Sequence, residues 1–261
     1  MHLVSEIQKT LDNDEFTLLA QSIVALKEED QKNRFEILLG MKDEKGNRIS
    51  SYAFFSAAER YQLMPQIDRW VVSSTLARLS EHTDYLKESG AVFAINLSGQ
   101  SLGDDEILSF VEEEIDSSGV PSSSLCFEVT ESAAVSSREK AQAFIDALRK
   151  RGCKFSLDDF GAGLSSFAYL KNFSVDVLKI DGSFVRDITD NRISESMVAA
   201  ITQVAKVMEL ETVAEYVESI ETKKLVAELG VDYAQGHAVG RPIPLEQVLG
   251  NITGQSKSST A

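Results

Sequence analysis

Short runs rich in Val, Ile, Leu and Phe alternate along the chain with stretches whose apolar residues recur every three or four positions. The runs read as eight strands, at 16–26, 34–41, 91–98, 125–131, 154–160, 175–181, 211–218 and 233–240. Between them, Ile67, Trp70 and Val71, or Ala141, Phe144, Ile145 and Leu148, have the helical spacing that lays one apolar face on a sheet. Strand and helix in regular alternation predict repeated β-α units around a mostly parallel sheet. The segment "KEEDQKN" between the first two strands is too short for a crossover helix, so that pair is expected to form an antiparallel hairpin. Each later connection is long enough for a right-handed crossover. The predicted fold is therefore α/β, a TIM-like (β/α)8 barrel over residues 16–250 with its first strand antiparallel to the others. An amphipathic lead-in helix or linker is expected at 1–15 and a disordered polar tail at 251–261.

The period of two within strands turns specific polar residues inward. In "VDVLKID", Leu178 and Ile180 face the helices, which sends Lys179 and Asp181 to the other side and Lys179 into the barrel. An unpaired ammonium there costs several kcal/mol, roughly, unless carboxylates surround it. The other strands supply them: Glu36, Asn96, Glu128 and Glu215 alternate with apolar neighbours towards the strand ends, where barrels of this kind build their sites. Asp158 and Asp159 are adjacent, so they can share a cavity only where the strand breaks, expected at "FGAGLSS". Singly, Glu36, Glu128 and Glu215 read equally well as solvated charges at strand ends, and Asp158 as a helix cap. As a set, five carboxylates and an amide repel one another unless protons or cations intervene. An all-oxygen set favours Mg²⁺ or Mn²⁺ over zinc. Two such ions roughly 4 Å apart are the arrangement used for phosphoryl hydrolysis.

Charge narrows the partners. Asp and Glu number 41 against 26 Lys and Arg, a formal net charge of −15, which disfavours nucleic-acid polymers and anionic membranes but permits a small anionic ligand at a cation site. Cys126 and Cys153 lie in apolar strand-like runs without metal-ligand spacing and read as buried thiols. With no apolar run of about 18 residues and no signal-like start, a cytoplasmic location is expected, as a free protein or as the cytoplasmic part of a membrane-associated one. His2, His82 and His237 lack partners at ligand spacing, and the G-A-G after Asp159 is followed by no GxxxxGK[ST].

In order and spacing, "FEILLG", "AINLS", "FEVTES", "DDFGAGLSSFAYLK", "VDVLKID", "VAEYVES" and "AQGHAVGRP" resemble the motifs of the EAL-domain phosphodiesterases, bacterial domains that hydrolyse cyclic di-GMP. The likeness runs from about Phe16 to Pro244. It implies that Glu36, Asn96, Glu128 and Asp158 hold one metal ion and Asp158, Asp159 and Glu215 a second, with a bridging water as nucleophile. It further implies that Lys179 assists that water, that Gln235 positions water or substrate, and that Gln21, Leu38 and Asp181 belong to the substrate site. Glu131 matches the glutamate that anchors the loop after Asp159, which in the family couples metal binding to dimerisation. The implied reaction opens cyclic di-GMP to linear 5'-pGpG, in a homodimer with a sensory or GGDEF-type domain upstream.

Three positions depart from the family pattern. Ser22 stands where a proline is usual, Gly40 where an arginine contacts a substrate phosphate, and Tyr216 where a glycine follows the metal-binding glutamate. They leave open a second reading, a weakly active or inactive module that binds cyclic di-GMP as an effector and signals to a partner.

Overall fold

The structure is a computed structural model that describes residues 2–27, 32–43, 46–162, 170–171 and 173–254. Nine strands are present among the described residues: β1 Thr17–Ala25, β2 Arg34–Gly40, β3 Val92–Leu97, β4 Leu125–Thr130, β5 Lys154–Phe160, β6 Val177–Ile180, β7 Glu211–Ala214, β8 Tyr233–Ala234 and β9 Ile243–Pro244. Strands β2 to β8 follow one another in parallel, and β1 closes the ring by pairing antiparallel with both β8 and β2. The hairpin register sets Gln21 opposite Glu36 and Leu19 opposite Leu38. The barrel with a reversed first strand is thus present as expected; β9 is an addition, pairing with Leu19 and Ala20 outside the ring.

Three strands are shorter than the sequence pattern predicts. The run 175–181 is strand only over Val177–Ile180, 211–218 only over Glu211–Ala214, and 233–240 only over Tyr233–Ala234. Beyond Ala234 the backbone leaves the sheet because it is bonded to an irregular segment instead. Val217 N donates to Gln235 O at 2.9 Å and Ala238 N to Val217 O at 3.0 Å. Gly236 sits within this clasp at φ +153°, where a Cβ would stand 2.3 Å from the Val217 carbonyl oxygen; only glycine fits so close an approach.

Alternation divides the strand side chains between two cores. Outward, Phe35, Phe93, Phe127 and Phe155 are buried under the helices, with Phe35 and Phe93 stacked at 5.3 Å and Phe144 of the helix Arg138–Lys150 edge-on to Phe155. Inward, Ile23, Val177, Val213 and Tyr233 fill the barrel, beside Val92, Ala94 and Cys126. At the N-terminal end of the parallel strands, Arg34 makes two hydrogen bonds to Glu211, 2.7 and 2.9 Å, and stacks over Tyr233. The barrel is therefore plugged at one end, and its opposite end carries the polar residues. The helix His2–Asp12 packs its own apolar face on the outside through fully buried Ile7. The segment 163–169 of the loop after Asp159 and residues 255–261 of the expected tail lie outside the described residues.

Candidate functional site

One inward position of each strand is polar, near the C-terminal end or just past it in all but β2: Glu36 in β2, then Asn96, Glu128, Asp158, Lys179, Glu215 and Gln235, with Gln21 from the reversed strand. Their convergence follows from alternation plus closure, since each occupies the same level of the ring. Lys179 is the centre of the group. Its fully buried Nζ lies 3.0 Å from Glu36 Oε2, 2.9 Å from Glu128 Oε2, 2.9 Å from Glu215 Oε1 and 3.3 Å from Asp158 Oδ1.

Amides complete the cluster. Asn96 Nδ2 donates to Glu36 Oε1 at 2.6 Å and Gln235 Nε2 to Glu36 Oε2 at 2.6 Å, so both oxygens of Glu36 are engaged. Gln235 also donates to Gln21 Oε1, and Gln21 Nε2 to the Gly240 carbonyl, which ties the hairpin to the segment after β8.

The paired aspartates meet by a device different from the one expected. The strand does not wait for "FGAGLSS" to break; its register with β6 shifts between Leu157 and Phe160. Asp159 lies in the left-handed region at φ +55°. This bulge inserts one residue and re-aims it, so that Asp158, Asp159 and Glu215 each bring a carboxylate oxygen to within 4.8 Å of the others.

The electrostatics register the crowding. Burial pushes the Glu36 carboxyl up, but Lys179 and the Gln235 and Asn96 hydrogen bonds outweigh it and hold the group below its ordinary value. Glu128 is pushed up to about 8 by burial, with Glu36 and Asp158 adding to it against the pull of Lys179. Glu215 rises well above the usual range by burial, and Asp159 to about 6 by partial burial, Asp158 and Asp181. Burial acts to lower Lys179, yet the four surrounding carboxylates raise it well above an ordinary lysine. One ammonium therefore does not neutralise the set. Asp158 Oδ1 is buried at ion-pair distance from Lys179 without hydrogen-bond geometry to any donor. With every carboxylate ionised and Lys179 charged, the five acids leave four negative charges, the amount two divalent cations balance. An oxygen-only donor set of this charge fits hard cations.

Above the cluster opens a cavity of about 660 Å³, lined by Gln21, Glu36, Leu38, Asn96, Asp158, Asp159, Glu215 and Gln235, with Tyr216 and His237 at its edge. Asp181 does not line it; its carboxylate accepts from Ser183 N at 2.8 Å as the cap of a short helix, and faces Asp159. Glu131 Oε2 accepts from Gly161 N at 3.3 Å, directly after Asp159 and Phe160. Tyr216 adopts φ +51°, its ring against Gly182 and beneath the Arg186 guanidinium at 4.0 Å. Nδ1 of His237 is 3.0 Å from Glu218. Both cysteines are buried free thiols, and burial pushes Cys153 up to about 11.

Among the lining residues that sequence reasoning missed are a buried acid and a cation. Asp68 is a buried carboxylate on the helix Met64–Ser80, accepting from Ser98 N and Ser101 Oγ, with burial raising its pKa. A lone acid among Met64, Ile67, Val71 and Val72 was the available signal. Arg48, in the loop after β2, gave none.

The EAL domain profile matches residues 4–242. The cyclic di-GMP phosphodiesterase PdeB of Shewanella oneidensis is 37% identical over 239 residues, 92% of this chain and 28% of that protein. PdeF of Escherichia coli, also a cyclic di-GMP phosphodiesterase, is 37% identical over 250 residues, 96% and 33% respectively. The chain thus spans about a third of the length of these relatives. Among solved structures, the PaMucR phosphodiesterase in complex with c-di-GMP superposes with a TM-score of 0.87 at 27% identity, covering 95% of this chain and 100% of that one. The FimX EAL domain of Pseudomonas aeruginosa bound to c-di-GMP gives 0.83 at 26% identity, covering 93% and 96%. Among the described residues no helix is long and apolar enough to cross a membrane. On profile, identity and barrel alike, the chain belongs to the EAL domain family.

Proposed function

We propose that this chain hydrolyses cyclic di-GMP to linear 5'-pGpG, using two Mg²⁺ or Mn²⁺ ions. The observation that carries the reading is the ring of Glu36, Glu128, Asp158 and Glu215 around Lys179, with Asp159 added by the bulge, below an open cavity. Glu36, Asn96, Glu128 and Asp158 would hold one ion, and Asp158, Asp159 and Glu215 the other. A bound ion pair supplies Lewis acidity and makes water a usable nucleophile near neutral pH.

The chain's own groups do the rest. Asn96 commits its nitrogen to Glu36, which leaves its oxygen as the donor atom for a cation. Gln235 fixes the Glu36 carboxylate. Lys179 would set its positive charge beside the attacking water; the water oxygen bonds to phosphorus as the P–O3' bond breaks, the proton given up by the water ends on the released 3'-oxygen, and the ring opens. Gln21 and Leu38 form the wall against which the dinucleotide lies.

Incubation of the purified protein with cyclic di-GMP and Mn²⁺, followed by chromatography, should yield pGpG, and Glu36→Ala should abolish it. Absence of product at high enzyme concentration, with tight binding that survives EDTA, would instead support the effector reading that Ser22, Gly40 and Tyr216 favour. The reading extends to a homodimer and to an upstream sensory or GGDEF-type domain in a longer protein. Light scattering on the eluting protein checks the dimer.

A further inference from the structure

The cavity has a lopsided charge. Glu36, Glu59, Asp68, Asp158, Asp159, Glu215 and Glu218 line it, and among the described lining residues Arg48 is the single arginine or lysine. Its position follows from local pairing. After β2 the chain doubles back, with Arg48 bridged antiparallel to Lys42 and Ile49 N donating to Met41 O at 3.0 Å. Along this strand Phe35, Ile37 and Met41 are buried outward in the helix-covered core, so alternation turns positions 36, 38, 40 and 42 to the barrel side. Residues paired across an antiparallel bridge share a face. Arg48 therefore extends the row that begins with Glu36 and Leu38.

Two further observations bear on what it does. Arg48 is exposed, and among the described residues it makes no hydrogen bond or ion pair. Along the same row Gly40 contributes no side chain, although a Cβ there would meet only ordinary contacts, the nearest the Thr17 carbonyl oxygen at 3.4 Å. A guanidinium offers phosphate a planar fork of donors, and a dinucleotide with two phosphodiester charges must otherwise enter among carboxylates.

Building on the hydrolase reading, we propose that Arg48 is the phosphate-binding cation of this site. Its guanidinium takes the non-bridging oxygens of one phosphodiester, at the position left without a side chain by Gly40. The contact is made equally in ground and transition state, so it appears in KM.

The test compares Arg48→Ala, Arg48→Lys, Lys42→Ala and the double variant Gly40→Arg/Arg48→Ala, with cyclic di-GMP at saturating Mn²⁺. Arg48→Ala should raise KM by about 10- to 100-fold with kcat within about threefold, the loss expected for one charge-assisted contact. Arg48→Lys should recover part of it, Gly40→Arg should restore most of it, and Lys42→Ala should leave both constants unchanged. Should the parent bind without turnover, the same shifts are read in Kd. An unchanged KM for Arg48→Ala in an active parent, or a loss confined to kcat, overturns the role of Arg48 and leaves the hydrolase intact. A parent that neither binds nor cleaves cyclic di-GMP overturns both. Equal melting temperatures across the set confirm that the loop folds in each variant.

Discussion

An ammonium removed from water is stable only among carboxylates, and Lys179 Nζ has four of them within 3.3 Å. The converse also holds, because those acids lie together only with that charge between them, or with protons or cations in its stead. Lys179→Met should therefore lower the stability of the protein in EDTA by about 3–5 kcal/mol, the usual cost of removing one partner from a buried ion cluster. Mn²⁺ should restore a larger share in the variant than it adds to the parent. Urea titrations with and without Mn²⁺ check this, and equal midpoints in EDTA would refute it. Tyr216 raises a different question at the same scale, since φ +51° costs a bulky residue about 1 kcal/mol. The ring is held by Gly182, where an added Cβ would lie 2.1 Å from its Cδ2, and by Arg186 above it. Gly182→Ala should destabilise by about 1–3 kcal/mol, as overpacking does. In a Tyr216→Gly background the same change should cost less than about 1 kcal/mol. A cycle without coupling would mean that the two residues do not share this contact.

Elements decide where those residues stand. The alternating runs made the barrel legible, including its reversed first strand, because "KEEDQKN" permits only a hairpin. The inward polar row was legible for the same reason: one lysine at an interior position demands acids, and only the strand ends offered them. What periodicity does not carry is the point at which a strand stops. The apolar runs through Val217 and Val239 look like sheet but are bonded to each other across Gly236. The bulge at Asp159 was equally hidden, since left-handed backbone in an aspartate leaves no mark on the hydrophobic pattern. Arg48 reaches the cavity only through the turn after β2, a matter of pairing and not of composition. At the opposite end of the barrel, Arg34 joins β2 to β7 through Glu211, whose carboxyl is pushed up by burial but held below its ordinary value overall by Arg34 and Lys154. A depressed acid stabilises the fold above its unfolded pKa, near 4.5, and that contribution disappears as pH falls through the lower folded value. Glu211→Gln should thus cost about 1 kcal/mol at pH 7, a modest figure because about a third of the Glu211 side chain remains in water. The gap to the parent should narrow progressively as pH falls below the unfolded value of 4.5. Denaturant midpoints at pH 7, 5 and 3.5 follow it; a gap that persists in acid would assign the loss to packing.

The molecule as a whole repels its proposed substrate. A net charge of −15 surrounds a cavity lined by acids, and cyclic di-GMP carries two negative charges, so the long-range field opposes association even where the bound cations and Arg48 attract at short range. Salt separates the two, because screening removes the interactions beyond a Debye length, about 30 Å at 0.01 M and 8 Å at 0.15 M, while those in contact at the partly enclosed mouth survive. At fixed saturating Mn²⁺, kcat/KM should therefore rise by about two- to fivefold between those ionic strengths, opposite in sign to a basic nucleotide-binding protein. The rise should be steeper for Arg48→Ala, in which the short-range attraction is weakened and the repulsive field is a larger part of the total. A rate that falls with added salt in the parent would mean that the cation-loaded mouth, and not the acidic surface, sets the field the substrate meets. The same fall in Arg48→Ala would place that field in the bound ions alone.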